Sequence, residues 1–219
     1  MKKALVLITI IFSAFTLFAC GGENRSDWPE ETQLLAEWLE KAHEAENMTV
    51  TTEVIRSGVV TETYTLYMNE DIAYFVDFVN HPEYYVGIMH LYMVDKGEDW
   101  RMYARRDDKT CFDENDRGLT RNDILTILQE PARRKMIPTS IRPSWFERDG
   151  NVFTLLDDHF DEMRRVTSTE GTFTRYTMRV TEDEFVVEIR LGFPSRTIRI
   201  TYSDVDETVI DVPDFNLCD

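Results

Sequence analysis

Basic residues, cysteines, glycines and prolines are all scarce in this chain of 219 residues. It has 24 Lys and Arg against 41 Asp and Glu, which gives a formal net charge of −17, with 3 Cys, 9 Gly and 7 Pro. A charge this negative repels a phosphate backbone, so the composition disfavours a nucleic-acid-binding protein. With 42% apolar and 12% aromatic residues, low-complexity disorder is also disfavoured. The composition describes an acidic globular protein.

Recognisable catalytic and metal-binding motifs are also missing. The sequence contains no Gly-x-Ser-x-Gly elbow, no phosphate-binding loop and no zinc-type Cys pair. Asp113–Gly118 imitates the start of an EF-hand loop, but Arg117 occupies the fifth ligand position and Ile124 the twelfth, where a bidentate Glu is needed. His159 lies among acidic residues with no ligand spacing, which is typical of a solvated turn. The sequence therefore predicts no enzyme, no cofactor and no metal site.

The first residues have the pattern of a secretory signal peptide. A basic start, Met1–Lys3, precedes Ala4–Ala19, an uncharged run of 16 residues. A membrane-spanning helix needs about 17–25 apolar residues, so a removed leader is the better interpretation. Gly21–Ser26 then has the composition of a flexible tether. No Gly/Ser-rich linker follows, so the sequence predicts a leader over 1–19, a tether over 20–28 and a single domain over 29–219.

Leu17-Phe18-Ala19-Cys20 resembles the lipobox of bacterial lipoproteins. The resemblance implies a diacylglyceryl thioether on Cys20 and cleavage of the chain just before it. It also implies that the protein is held on the extracytoplasmic side of a bacterial envelope membrane, with the lipid bilayer as its partner. Stable anchoring takes two or more acyl chains, since one chain binds a membrane only marginally. An ordinary secreted protein is the alternative.

Two cysteines remain after lipidation, Cys111 and Cys218. A disulfide between them suits an oxidising compartment outside the cytoplasm. Two free thiols are the alternative, because the sequence does not place the two Cα atoms within bridging distance. Both interpretations stay open at this point.

Periodicity predicts a mostly β protein with two helices. Leu34, Leu35, Trp38 and Leu39 recur at helical spacing and predict an amphipathic helix at about 30–46. A capping pair predicts a shorter middle helix at 121–129. Segments rich in β-branched and aromatic residues, separated by short turns, predict antiparallel strands. These strands are Met48–Arg56, Val59–Met68, Ile72–Phe78, Tyr85–Val94, Trp100–Arg106, 144–148, 152–156, Arg175–Thr181, Glu184–Leu191, Thr197–Tyr202 and Thr208–Val212.

Alternation within these strands gives the sheet one apolar face. Two short helices are few for covering such a face, so the sequence predicts an α+β, mostly β fold. Its single antiparallel sheet would curve strongly into a half-barrel around its contents, covered by the two helices. The apolar rows could line an adaptable cavity or simply fill a core. The ligand-cavity candidates are Met89, Leu91, Met93, Met178, Val180, Phe185, Val187, Ile189 and Leu191.

The order of elements and the closing segment Tyr202–Pro213 resemble the LolA/LppX-like lipoproteins. That resemblance implies a half-barrel that holds lipid through scattered apolar side chains, with no catalytic signature. The middle insertion 107–143 and the acidic surface depart from the pattern. Two functional hypotheses follow. The chain binds or carries a hydrophobic, lipid-like ligand, or it is a filled-core envelope protein that acts on a protein partner through its acidic surface.

Overall fold

The computed structural model describes residues 28–44, 47–69, 71–81, 85–97, 99–119, 141–167, 172–193 and 195–218. The predicted leader, Cys20, most of the predicted tether and the middle helix expected at 121–129 lie outside the described residues. None of the described helices is long and apolar enough to cross a membrane.

The described residues form two α-helices, three short 3-10 turns and eleven strands. The helices are α1, Gln33–Glu44, and α2, Phe160–Thr167. The 3-10 turns are Glu30–Thr32, Pro143–Trp145 and Asp157–His159. The strands are β1 Met48–Arg56, β2 Val59–Met68, β3 Ile72–His81, β4 Tyr85–Asp95, β5 Trp100–Arg106, β6 Asp113–Leu119, β7 Phe146–Asp149, β8 Val152–Leu155, β9 Phe173–Val180, β10 Phe185–Leu191 and β11 Arg196–Ser203.

All eleven strands belong to one antiparallel sheet in the order β6-β5-β4-β3-β2-β1-β11-β10-β9-β8-β7. Short turns join most sequential neighbours, as expected when each strand pairs with the next. The last strand, β11, returns beside the first, with Thr49 opposite Ser203 and Ile55 opposite Thr197. The edge strands β6 and β7 do not pair with each other, so the sheet is open.

Most of the strand predictions are confirmed, and β1, β2 and β5 match to the residue. Strand β6 was missed because Asp113–Leu119 has a composition depleted in strands, and pairing with β5 overrides that preference. Helix α2 was also missed. The amphipathic helix expected at 30–46 is present as Glu30–Thr32 followed by α1.

The strand expected at Thr208–Val212 is wrong, because this segment is irregular. Asp204 and Asp206 adopt positive φ angles of 51° and 64°, a conformation that Asp tolerates in turns, and they turn the chain away from β11. The Thr208 amide then donates to the Asn47 side chain at 2.9 Å. Its hydroxyl lies 3.0 Å from that of Thr49. Side-chain hydrogen bonds therefore fix the segment where a strand ladder was expected.

Helix α1 packs on one face of the sheet, which we call the inner face. Leu35, Trp38 and Leu39 are at most 2% exposed and belong to the main core cluster. The Trp38 indole N–H donates to the carbonyl of Thr181 at 2.7 Å, and its ring lies 6.2 Å from that of Phe185. These contacts place α1 over the half of the sheet formed by β9 and β10.

A smaller core lies on the opposite, outer face of β3–β5. The segment 204–218 crosses this face, and Phe215 stacks on Tyr103 with ring centroids 4.0 Å apart. A disulfide joins Cys111 to Cys218, whose Cα atoms are 5.1 Å apart. The Phe112 amide also donates to the carbonyl of Asn216 at 2.9 Å. Of the two alternatives left open for the cysteines, the structure has the disulfide.

Candidate functional site

The nine ligand-cavity candidates all lie on the inner face. On β9 and β10, Met178 is opposite Val187 and Val180 is opposite Phe185. On β4, Met93 pairs with Ala73, and the register continues through β3, β2, β1 and β11 to the same face of β10. The alternation in the sequence therefore identified the correct face of every strand concerned.

Six of these candidates are tightly packed. Phe185, for example, contacts the ring of Trp38 on α1, and Met163 from α2 is fully buried in the same cluster. Side chains with so little exposure are already in contact with protein on all sides. This half of the inner face is a filled core. The six are Met178, Val180, Phe185, Val187, Ile189 and Leu191, each at most 1% exposed.

The other half of the inner face, on β2–β5, is only partly covered. Its deepest positions are buried, with Met68 and Ala73 at 3% and Met93 at 1% exposure. The neighbouring inner-face positions on β3, β4 and β5 are only half-buried, although they are apolar. These are Phe75, Met89, Leu91, Met102 and Ala104, which we call the apolar patch.

The strand register makes the apolar patch continuous. Phe75 is opposite Leu91, and Leu91 is opposite Ala104 on the next strand. Phe75 also lies 6.2 Å from the ring of Tyr64, and Phe75 and Met102 pack against the main core. The patch is therefore an extension of the core that the described helices leave half-buried.

Polar groups border the apolar patch beside Met89. Met89 pairs with Asp77 on one side and with Arg106 on the other, while Tyr64 is opposite Asp77. Burial, with smaller contributions from Glu62 and Asp77, raises the pKa of the Tyr64 hydroxyl, so this hydroxyl stays protonated. A surface with an apolar floor and a rim of charged and hydroxyl groups suits an amphiphile, whose chain lies on the floor and whose polar end meets the rim.

The outer face carries an aromatic cluster that sequence reasoning did not single out. Tyr74 stacks on Tyr92 with centroids 4.2 Å apart, and its hydroxyl lies 2.7 Å from Nδ1 of His90. Burial, and secondarily the positive charge of Arg105, lowers the pKa of His90. The aromatic alternation of β3 and β4 was a signal for this cluster. Because Tyr92 also packs against Phe215, the cluster supports segment 204–218.

The described part of the chain holds no group of three or more His, Cys, Asp or Glu residues arranged to bind a metal ion. The segment that imitates an EF-hand loop forms β6, where Asp113 accepts a bond from Lys109 at 2.7 Å. His159 stacks on Trp145 at 5.5 Å. Asp113 and His159 are therefore engaged in contacts with Lys109 and Trp145.

The chain matches no protein-family model and has no significant match among curated proteins.

Proposed function

We propose that this protein is an extracytoplasmic lipoprotein, anchored through Cys20, that binds a hydrophobic, lipid-like ligand on the apolar patch. In this proposal the open sheet curves around the ligand as a half-barrel. The apolar side chains supply the binding energy, since each square ångström of apolar surface removed from water contributes about 25 cal/mol. The rim of Tyr64, Asp77 and Arg106 orients the polar end of the ligand.

The observation that carries this proposal is the unequal covering of the inner face. Under α1 the apolar rows are filled, whereas Phe75, Met89 and Leu91 stay half-buried in direct continuation of the core. Contiguous apolar surface that adjoins a core and is bordered by polar groups is typical of a ligand groove or an interaction site. The pattern favours a bound apolar molecule lying over β3 and β4.

The envelope location is supported by two features of different kinds. The lipobox-like sequence ends at Cys20, directly before a tether-like segment. Cys111 and Cys218 form a disulfide, and such bonds persist in oxidising compartments outside the cytoplasm. An open antiparallel sheet is also the architecture that the resemblance to LolA/LppX-like lipoproteins leads us to expect.

A second candidate function is a protein-interaction module that acts through its acidic surface. The packing of the inner face favours it, because seven of the nine predicted ligand contacts, Met93 among them, are at most 1% exposed and leave no room for a ligand. The two candidates differ in whether the apolar patch takes up a small apolar molecule.

Uptake of a fluorescent fatty acid distinguishes the two candidates. The wild-type chain is expected in the membrane fraction, whereas the Cys20→Ser chain, which lacks the lipidated sulfur, is expected in the soluble fraction once its leader over 1–19 has been removed. That soluble chain should bind the fatty acid saturably, at about one molecule per chain, and unlabelled palmitate should displace it. Absence of uptake, with the chain shown to be folded by circular dichroism, contradicts ligand binding and favours the interaction module.

A further inference from the structure

A groove between side chains lies on the outer face of the sheet, across from the filled core. Its volume is about 370 Å³, which lies within the range of roughly 300–1,000 Å³ that is usual for small-molecule sites. Its lining comes from β8, β9, β10 and β11. The lining residues are Val152, Arg175, Thr177, Arg179, Val186, Glu188, Arg199 and Thr201.

The groove is basic although the chain is strongly acidic. Three arginines and one glutamate line it, whereas the whole chain has 24 basic and 41 acidic residues. Arg199 is engaged by carboxylates, with Glu53 at 3.1 Å and Glu188 at 3.2 Å. Arg179 lies 3.4 Å from Glu184 at one end of the groove. Two of the three arginines are therefore partly neutralised by the protein itself.

Arg175 is in a different situation. It lies directly opposite Arg190 on the neighbouring strand, and both residues are exposed. Neither forms an ion pair with a described residue. Like charges directly opposite each other destabilise a pair of strands, so this arrangement costs free energy unless an anion offsets it.

We propose that this groove binds a phosphate group of a small molecule or of a lipid headgroup. Arg175 in the lining would donate charge-assisted hydrogen bonds to the phosphate oxygens, and the anion would also offset the repulsion from Arg190, which lies opposite Arg175 outside the lining. The threonine hydroxyls of the groove are further donors. The floor formed by Val152 and Val186 would take the uncharged part of the molecule. The groove opens on the outer face, so the site is separate from the apolar patch.

Binding of inorganic phosphate and of glycerol 3-phosphate to the soluble Cys20→Ser chain without its leader, measured by isothermal titration calorimetry, tests this site. In that background Arg175→Gln is expected to weaken binding about tenfold, because it removes hydrogen bonds to a charged group. Glu188→Gln is expected to tighten binding, since it removes the only carboxylate among the lining residues. The matched control is Arg164→Gln, which removes an exposed arginine on α2 and should leave the affinity unchanged.

Binding to lipid vesicles distinguishes a lipid headgroup from a free small molecule as the source of the phosphate. Binding to phosphatidylglycerol vesicles, but not to phosphatidylcholine vesicles, with loss in Arg175→Gln, supports a headgroup as the source. Saturable binding of the soluble phosphates with the same loss supports a free small molecule. Equal binding by Arg175→Gln and Arg164→Gln, or no binding in either arm, overturns the proposal. The Leu91→Glu variant should bind phosphate normally, so failure of this site and failure of the apolar patch can be told apart.

Discussion

Replacing Leu91 by glutamate is expected to weaken fatty-acid uptake by at least about tenfold. Leu91 lies in the middle of the apolar patch, between Phe75 and Ala104 in the register. A carboxylate there must stay hydrated, because burying an unpaired charge against apolar atoms costs several kcal/mol. The ligand chain can then no longer cover the centre of the patch.

The matched control for this variant lies on the same strand. Val86 is on the outer face of β4 and is 57% exposed, so Val86→Glu adds the same charge to the same strand without touching the patch. We expect its dissociation constant for the fatty acid to equal that of the parent chain. Leu91→Ala is a milder change that keeps the surface uncharged, and it should weaken uptake less than Leu91→Glu does. It replaces Leu91→Glu as the test if the glutamate lowers the melting temperature. If the parent chain, Leu91→Ala and Val86→Glu take up the fatty acid equally, the fatty acid does not bind on the apolar patch.

Removing the disulfide is expected to have the largest effect on stability. Cys111 and Cys218 are separated by 107 positions, and closing so long a loop in the unfolded chain is worth about 4–5 kcal/mol by the loop-entropy argument. The double substitution Cys111→Ser with Cys218→Ser should lower the free energy of unfolding in urea by up to that amount. The loss should be accompanied by faster hydrogen exchange in segment 204–218, which the disulfide holds over Tyr92 and Tyr103.

The same substitution at the remaining cysteine is the control. Cys20→Ser leaves the bonded pair intact, so this soluble chain is the parent with which the double substitution is compared. Reducing agent should destabilise the Cys20→Ser chain by about as much as the double substitution does. A double variant that unfolds within about 1 kcal/mol of its parent would show that side-chain packing, with Phe215 on Tyr103, holds the segment without help from the disulfide.

The strand pattern was largely predictable because it depends on local alternation. A buried position recurs at every second residue of β10 and β11, with Val186 as an additional buried position, and this period of two identifies the face that each side chain occupies. The inner face is therefore predictable from the sequence alone. Asp77 interrupts the alternation of β3 at the rim, which is one reason why Phe75 was not among the candidates.

Which half of the inner face is covered could not be read from the sequence. Helix α1 has an apolar stripe, but its position over β9 and β10 depends on tertiary contacts such as the bond from Trp38 to Thr181, 143 residues away in the chain. The nine candidates accordingly include six that α1 and its neighbours bury. The disulfide was undecidable for the same reason, because only the fold brings Cys111 and Cys218 together.

Native mass spectrometry of the soluble Cys20→Ser chain, purified without denaturation and followed by organic extraction, tests ligand binding most directly. The account predicts a lipid-like molecule carried at close to one per chain, recovered in the extract and lost from the Leu91→Glu variant but retained by Val86→Glu. A clean apo mass, together with no uptake of added fatty acid or phospholipid, would contradict it.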